Sequence, residues 1–252
     1  MKLFRLIAIG VIFGVCWFAF QIMTPTDPAY AATDRFLARF TIAKGFPWLR
    51  RYHLFEPTNS RADDKLPLVV VLHGASQRST FSTVFAGKAA QNRMPSFVLA
   101  PEAAFYRQWA TPRAPGWEQD NAQEIGYAVE LAKKIAQTYP VDLRRIYVVG
   151  ASQGGSGVFG AFARYPNIFA AGVSYAGGWD IREPGALRDS NIWALHGLAD
   201  KTVSPNLSAN AVEGIRQLGG KARLTLLHGQ GHGLRMSPKM AQAFDWMMQQ
   251  RR

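Results

Sequence analysis

Residues 146–157 read Ile146-Tyr-Val-Val-Gly-Ala-Ser-Gln-Gly-Gly-Ser-Gly157, and this stretch decides the fold. Its apolar, β-branched start predicts a buried strand, and its small residues open a helix. Between them, Gly150-Ala151-Ser152-Gln153-Gly154 has the Gly-x-Ser-x-Gly spacing of a nucleophile elbow. Such a strand-to-helix turn lifts a serine hydroxyl above the carboxyl edge of a sheet. The turn is so sharp that a Cβ at position 150 or 154 should collide with the neighbouring strand and helix. It also predicts strained dihedrals at Ser152. Gly-rich loops produce the same spacing by chance, so the rest of the chain has to supply the partners.

In an open, mostly parallel sheet, reactive groups gather outside the carboxyl ends of the strands. The later strands end accordingly. The run 192–195 leads into His196-Gly-Leu-Ala-Asp200, and the run 224–227 leads into His228-Gly-Gln-Gly-His232-Gly233. The order Ser152, Asp200, His232 is that of α/β-hydrolases. The chemistry needs these residue types: an imidazole takes the proton of a weakly nucleophilic hydroxyl, and a carboxylate fixes the tautomer and steadies the imidazolium. His228 competes for the role of base, but His232 lies further out on the loop between two glycines and is preferred. Asp180 is the rival acid. His196 is assigned a structural role, shaping the loop that presents Asp200.

An oxyanion hole takes two backbone N–H groups. Gln153 supplies one as the residue after the nucleophile. The other is expected from the loop after residue 72, at Ala75, with Ser76 as runner-up and His73 as a buttress. The chain's five histidines have no companion at zinc spacing, and no nucleotide-binding glycine loop is present, so neither metal nor cofactor is expected.

Strand and helix patterns alternate along the chain, which predicts a doubly wound α/β sheet in a single domain. The runs 68–72 and 96–100 are continuous apolar stretches suited to strands buried on both faces. Residues 32–45 read as a short helical lead-in with Phe36, Leu37 and Phe40 on its apolar stripe, and 48–55 as an outer strand carrying Arg50, Arg51 and His53. Residues 102–119 form an aromatic-rich loop. A helix capped by Asp120 follows, with Ile125, Ala128, Leu131, Ala132 and Ile135 on its inner face. Gly155, Gly157 and Gly160 are expected to let the nucleophile helix approach the sheet.

The 252 residues are 48% hydrophobic and 18% charged, which excludes a disordered or fibrous chain. The net charge of +12 favours anionic surroundings. The basic residues are scattered, with short pairs such as Arg144-Arg145 and Arg251-Arg252, and no nucleic-acid-binding motif accompanies them. Lys2 and Arg5 precede an apolar run over 6–23, and Ala29-Tyr30-Ala31 follows it. This is the layout of a signal peptide cut after Ala31, with 32–252 as the mature domain in the periplasm or outside the cell. The run is also close to bilayer-spanning length, so an uncleaved inner-membrane anchor is the alternative. Removing residues 1–31 takes away two cations, one anion and the only cysteine, Cys16, leaving +11.

Together these pieces resemble the secreted esterases of the polyhydroxybutyrate depolymerase and feruloyl esterase type within the α/β-hydrolase superfamily. The matching stretches are Pro67-Leu-Val-Val-Val-Leu-His-Gly74, Tyr139-Pro-Val-Asp-Leu-Arg-Arg-Ile-Tyr-Val148, Gly150-Ala-Ser-Gln-Gly-Gly155, His196-Gly-Leu-Ala-Asp200 and Gly231-His232. The resemblance implies an α/β-hydrolase fold and hydrolysis of small or polymeric carboxylic esters through an acyl-enzyme. That group usually carries cysteines near the oxyanion loop and beside an aromatic pair, where this chain has Ala75 and Gln108-Trp109, so the likeness does not name the substrate. The short segment 179–191 leaves no room for a large lid. Trp179 and Trp109 are candidate walls of the acyl pocket. A peptidase or acyltransferase on the same frame is the alternative, and a non-catalytic module for an anionic polymer is a third reading.

Overall fold

The computed structural model describes residues 36–42, 49–57, 64–75, 80–104, 107–110, 124–180, 187–233 and 236–252. Among the described residues the first elements are β1 (Phe36–Ile42), at a sheet edge, and β2 (Leu49–Phe55), followed by β3 (Leu66–Leu72), α1 (Thr80–Ala86), α2 (Lys88–Arg93) and β4 (Phe97–Pro101). It goes on with α3 (Ile125–Thr138), β5 (Val141–Ala151), α4 (Gln153–Arg164), β6 (Ala171–Tyr175) and β7 (Ile192–Gly197). The last elements are α5 (Pro205–Gln217), β8 (Arg223–Leu227) and α6 (Pro238–Gln249). Among the described residues the sheet has eight strands in the order β1-β2-β4-β3-β5-β6-β7-β8. Strands β3 to β8 run parallel to one another, and β2 is antiparallel to both of its neighbours, β1 and β4.

The two-sided burial expected of the apolar runs is present. Leu68, Val70 and Leu72 of β3 enter a core layer with α3, α4 and α5, and Val69 and Val71 enter the opposite layer with α1 and α6. The chain leaves β3 toward α1 on one face and leaves β5 toward α4 on the other, although the two strands are neighbours. Two adjacent strands whose connections part in this way open a crevice at their carboxyl ends, which is where such sheets bind ligands. The register sets Leu72 beside Gly150, so the loop after β3 and the elbow after β5 line opposite sides of that crevice.

The helical lead-in is overturned. Residues 36–42 form β1, paired with β2 from Phe36 against Phe55 to Ile42 against Leu49. An apolar run this short fits either period, and pairing along the free edge of β2 decides between them. For the same reason β2 is not the outer strand, because β1 covers it. Its Arg50 is buried at 6% exposure, ion-paired with Glu124 and lying 4.4 Å over the Tyr127 ring. Removing one partner of such a pair costs about 3–5 kcal/mol. Together with the Arg51–Glu102 ion pair, it fixes where the chain leaving β4 and the start of α3 meet the sheet. The inner face of α3 is as expected, with Val129 added. Asp120 lies outside the described residues, as do residues 1–31. Among the described residues, no helix is long and apolar enough to cross a membrane. Only residues 176–191 separate β6 from β7.

Candidate active site

The elbow forms as its glycines require. Ser152 has φ 56° and ψ −120°, a left-handed backbone costing about 1–3 kcal/mol that surrounding structure must hold in place. A Cβ on Gly150 would lie 2.3 Å from the Gly154 carbonyl oxygen, and one on Gly154 would lie 2.1 Å from that of Leu72. Both contacts are far inside van der Waals range and involve backbone, which cannot swing aside. The strained residue is tied from two sides: its N–H donates to Tyr175 O at 2.8 Å, and its carbonyl accepts from Ser156 N at 3.0 Å.

The structure brings Ser152, His232 and Asp200 together. His232 Nε2 lies 2.9 Å from Ser152 Oγ, and His232 Nδ1 lies 2.8 Å from Asp200 Oδ2. The carboxylate can only accept, so Nδ1 carries the proton and Nε2 is left to accept from the serine hydroxyl. Asp200 Oδ1 takes the N–H groups of Thr202 and Val203 at 2.8 and 2.9 Å. Burial pushes the Asp200 carboxyl up, but the Val203 N–H, His232 and the Thr202 N–H outweigh it and hold it below the ordinary carboxylate value. It is therefore an anion at neutral pH. His228 is exposed at the end of β8, and the acid that bonds His232 Nδ1 is Asp200.

The second side of the crevice is the His73–Ala75 loop. A Cβ built on Gly74 would sit 3.5 Å from Ala151 O and 3.7 Å from Ser152 Cβ, so the loop runs directly beside the elbow. Gln153 is the first residue of α4, and its N–H has no intrahelical acceptor. Ala75 is exposed at the loop's turn. His73 is the buttress the sequence suggests. Its Nε2 accepts the Ala103 N–H at 2.9 Å, which leaves the ring proton on Nδ1 to bond Gly74 O at 2.7 Å.

Trp109 is not a pocket wall. It is fully buried, its Nε1 donates to His73 O at 2.9 Å, and its ring meets the His73 ring edge-on at 4.9 Å. A Cβ on Gly157 would meet Trp109 Cβ at 2.7 Å, and one on Gly160 would meet Ala110 Cβ at 2.3 Å. Gly160 thus admits the Trp109–Ala110 segment, Gly157 admits both Trp109 and the β3 side chain of Leu72 (Cδ1 at 2.9 Å from such a Cβ), and Gly155 lets α4 close on the end of β6. Trp179 is also buried, at 7% exposure, with its ring edge against Gly160. The sequence reading missed two further supports. The Tyr175 hydroxyl donates to Gly233 O at 2.9 Å, holding the loop that carries His232. The Ala199 N–H donates to Gln230 O at 2.9 Å, joining the acid's loop to the base's loop. A buried tyrosine at a strand end must place its hydroxyl on some partner, and that is the one signal that could have drawn attention to Tyr175.

Residues 50–188 match the family described as Esterase PHB depolymerase. The chain belongs to this family. It is a family of carboxylic ester hydrolases on an α/β-hydrolase fold, and the match includes the elbow but ends before Asp200 and His232. The family resemblance seen in the motifs is therefore sound, and the place of those two residues rests on geometry. Among solved structures, a thermostable esterase is 28% identical with a TM-score of 0.74, over 87% of this chain and 64% of that one. This esterase-family chain thus spans just under two thirds of that relative. A ferulic acid esterase (18% identical, TM-score 0.58, over 78% of this chain and 91% of that one) has the same fold. So does the acylaminoacyl peptidase of Pyrococcus horikoshii (15% identical, TM-score 0.62, over 88% of this chain and 43% of that one). A comparison with curated proteins found no match.

Proposed function

We propose that this protein is a serine esterase that hydrolyses carboxylic esters through an acyl-enzyme. The observation that carries the reading is His232, whose two ring nitrogens reach Ser152 Oγ at 2.9 Å and Asp200 Oδ2 at 2.8 Å. Ser152 Oγ attacks the ester carbonyl carbon while His232 Nε2 takes its proton. The carbonyl oxygen becomes an oxyanion facing the Gln153 and Ala75 N–H groups, and Asp200 steadies the imidazolium. His232 then gives the proton to the alcohol oxygen as the carbon–oxygen bond breaks. Water, deprotonated by the same nitrogen, releases the acid and restores the serine.

The short β6–β7 connection supports an open cleft, suited to small esters or the ends of an ester polymer. The layout of residues 1–31 supports export, with cleavage after Ala31 and a periplasmic or secreted enzyme. An exported protein whose first residue is Ala32 is the expected product, and an intact segment in the membrane fraction would point to the anchor instead. The activity test is hydrolysis of short p-nitrophenyl esters together with fluorophosphonate labelling. The intact enzyme should turn over and label at Ser152, and Ser152→Ala should do neither. A Ser152→Ala protein as active as the parent would remove Ser152 from the mechanism.

A further inference from the structure

Asp200 Oδ2 faces two imidazoles. Beyond His232, the Nε2 of His196 lies 3.1 Å from the same oxygen, and 3.0 Å from Val203 O. Both are acceptors, so His196 Nε2 is the donor. His196 is wholly buried and points its other nitrogen at Ser208 Oγ on α5, 2.7 Å away. Ser208, also wholly buried, lies 2.6 Å from Gly177 O, and its single hydroxyl proton is shared between that carbonyl and His196 Nδ1.

These contacts do not end in the core but return to the nucleophile. Gly177 follows β6 and presses on α4 so closely that a Cβ there would lie 2.3 Å from Gly155 C. The next residue, Gly178, donates its N–H to Ser156 Oγ at 3.2 Å, and Ser156 N donates to Ser152 O at 3.0 Å. The path from Ser152 Oγ through His232, Asp200, His196, Ser208 and the Gly177-Gly178 turn thus arrives back at the backbone of Ser152. Ser174 adds a brace, its hydroxyl donating to Gly155 O at 3.0 Å.

Building on the esterase reading, we infer that His196 and Ser208 are positioning residues for the reaction. With the two backbone N–H groups on Oδ1, His196 completes a set of four donors that leaves the carboxylate one orientation, its Oδ2 toward His232. Ser208 holds the His196 ring in that role and references it to the turn that packs on the nucleophile helix. The acid and the serine are carried by elements far apart in sequence, α4 and the loop after β7. The His196–Ser208 link is what sets the distance between them from behind. Nothing in a Gly-x-Ser-x-Gly or a His-Gly-x-x-Asp pattern contains Ser208.

The test compares Ser208→Ala, His196→Gln and His196→Leu with the parent on p-nitrophenyl esters. Rates are taken per labelled serine, counted by fluorophosphonate titration. Gln keeps a donor for Asp200 but cannot reach Ser208 as well, and Leu removes both contacts. We expect kcat to fall about tenfold in Ser208→Ala and about a hundredfold in His196→Leu, with His196→Gln between them and KM unchanged throughout, since angstrom-scale misplacement costs about that much. Should His196→Leu fail to fold, Ser208→Ala and His196→Gln decide the matter. Equal kcat per labelled serine in those two variants, or a loss confined to KM or to melting temperature, would overturn the inference. A parent enzyme that neither labels nor turns over would instead overturn the esterase reading itself.

Discussion

Acidification should loosen this protein through one buried imidazole. His73 is 3% exposed, and its two ring nitrogens are already committed, Nδ1 to Gly74 O and Nε2 to the Ala103 N–H. Burial lowers its pKa from 6.5 to about 4, the Gly74 bond pulling weakly the other way. A second proton would have to sit on Nε2, where the Ala103 N–H already points. Between those two values the unfolded chain binds a proton that the folded chain refuses, so stability falls as pH is lowered through the window and levels off beneath it. At about 1.4 kcal/mol for each tenfold difference in proton affinity, the whole window is worth roughly 3 kcal/mol. The perturbation that isolates it is His73→Gln, whose amide oxygen can take the Ala103 N–H and does not titrate. Urea unfolding from about pH 7 down to about pH 4 should show the parent losing roughly 3 kcal/mol more than the variant. Parallel stability curves would refute the reasoning. A ring resonance of His73 that titrates near the ordinary imidazole value would refute it independently, whether or not the variant folds.

Two further substitutions probe the crevice. Gly154→Ala drives a Cβ to 2.1 Å from Leu72 O, so β3 or α4 has to retreat by about an ångström. We expect a loss of about 1–3 kcal/mol in unfolding free energy and a fall of about a hundredfold in kcat; an Ala variant with the parent's kcat would deny the close contact. Trp109→Phe removes the Nε1–H that holds His73 O while keeping most of the ring. Its kcat should drop about tenfold with an unchanged ratio of acetyl to butyryl ester turnover, whereas a changed ratio with full turnover on the better ester would return Trp109 to the pocket wall.

The parts of the site that were legible in the sequence are those fixed by local geometry. Gly150 and Gly154 announce the elbow because no other residue fits 2.3 and 2.1 Å from backbone. The acid and the base follow because a parallel sheet delivers every strand end to one edge. Other parts were hidden because a distant partner decides them. Residues 36–42 pattern as well for a helix as for a strand until the edge of β2 is there to pair with them. Arg50 alternates like a surface residue, and its burial depends on Glu124, 74 residues away. Trp109 sits in a loop of aromatics that looks like a pocket lining. What puts it in the core is the pair of gaps at Gly157 and Gly160, of which only the first also faces the sheet, at Leu72.

The same residue restrains the strained Ser152 and the loop that carries His232, and Tyr175 is where the two meet. Its carbonyl accepts the Ser152 N–H, helping to hold a conformation the serine would otherwise leave, and its hydroxyl holds Gly233, one residue past His232. The register makes this possible: Ala151 pairs with Tyr175, and Tyr175 pairs with Leu195, at the carboxyl ends of β5, β6 and β7. A loop anchored only at its own strand could place His232 anywhere along an arc. Tyr175 thus ties the loop to the residue that also fixes the elbow, beside the Ala199–Gln230 bond that ties it to the Asp200 loop, and both act on the 2.9 Å contact between Nε2 and Oγ. Catalysis that depends on sub-ångström placement is better protected by such sharing than by adding contacts to either partner alone.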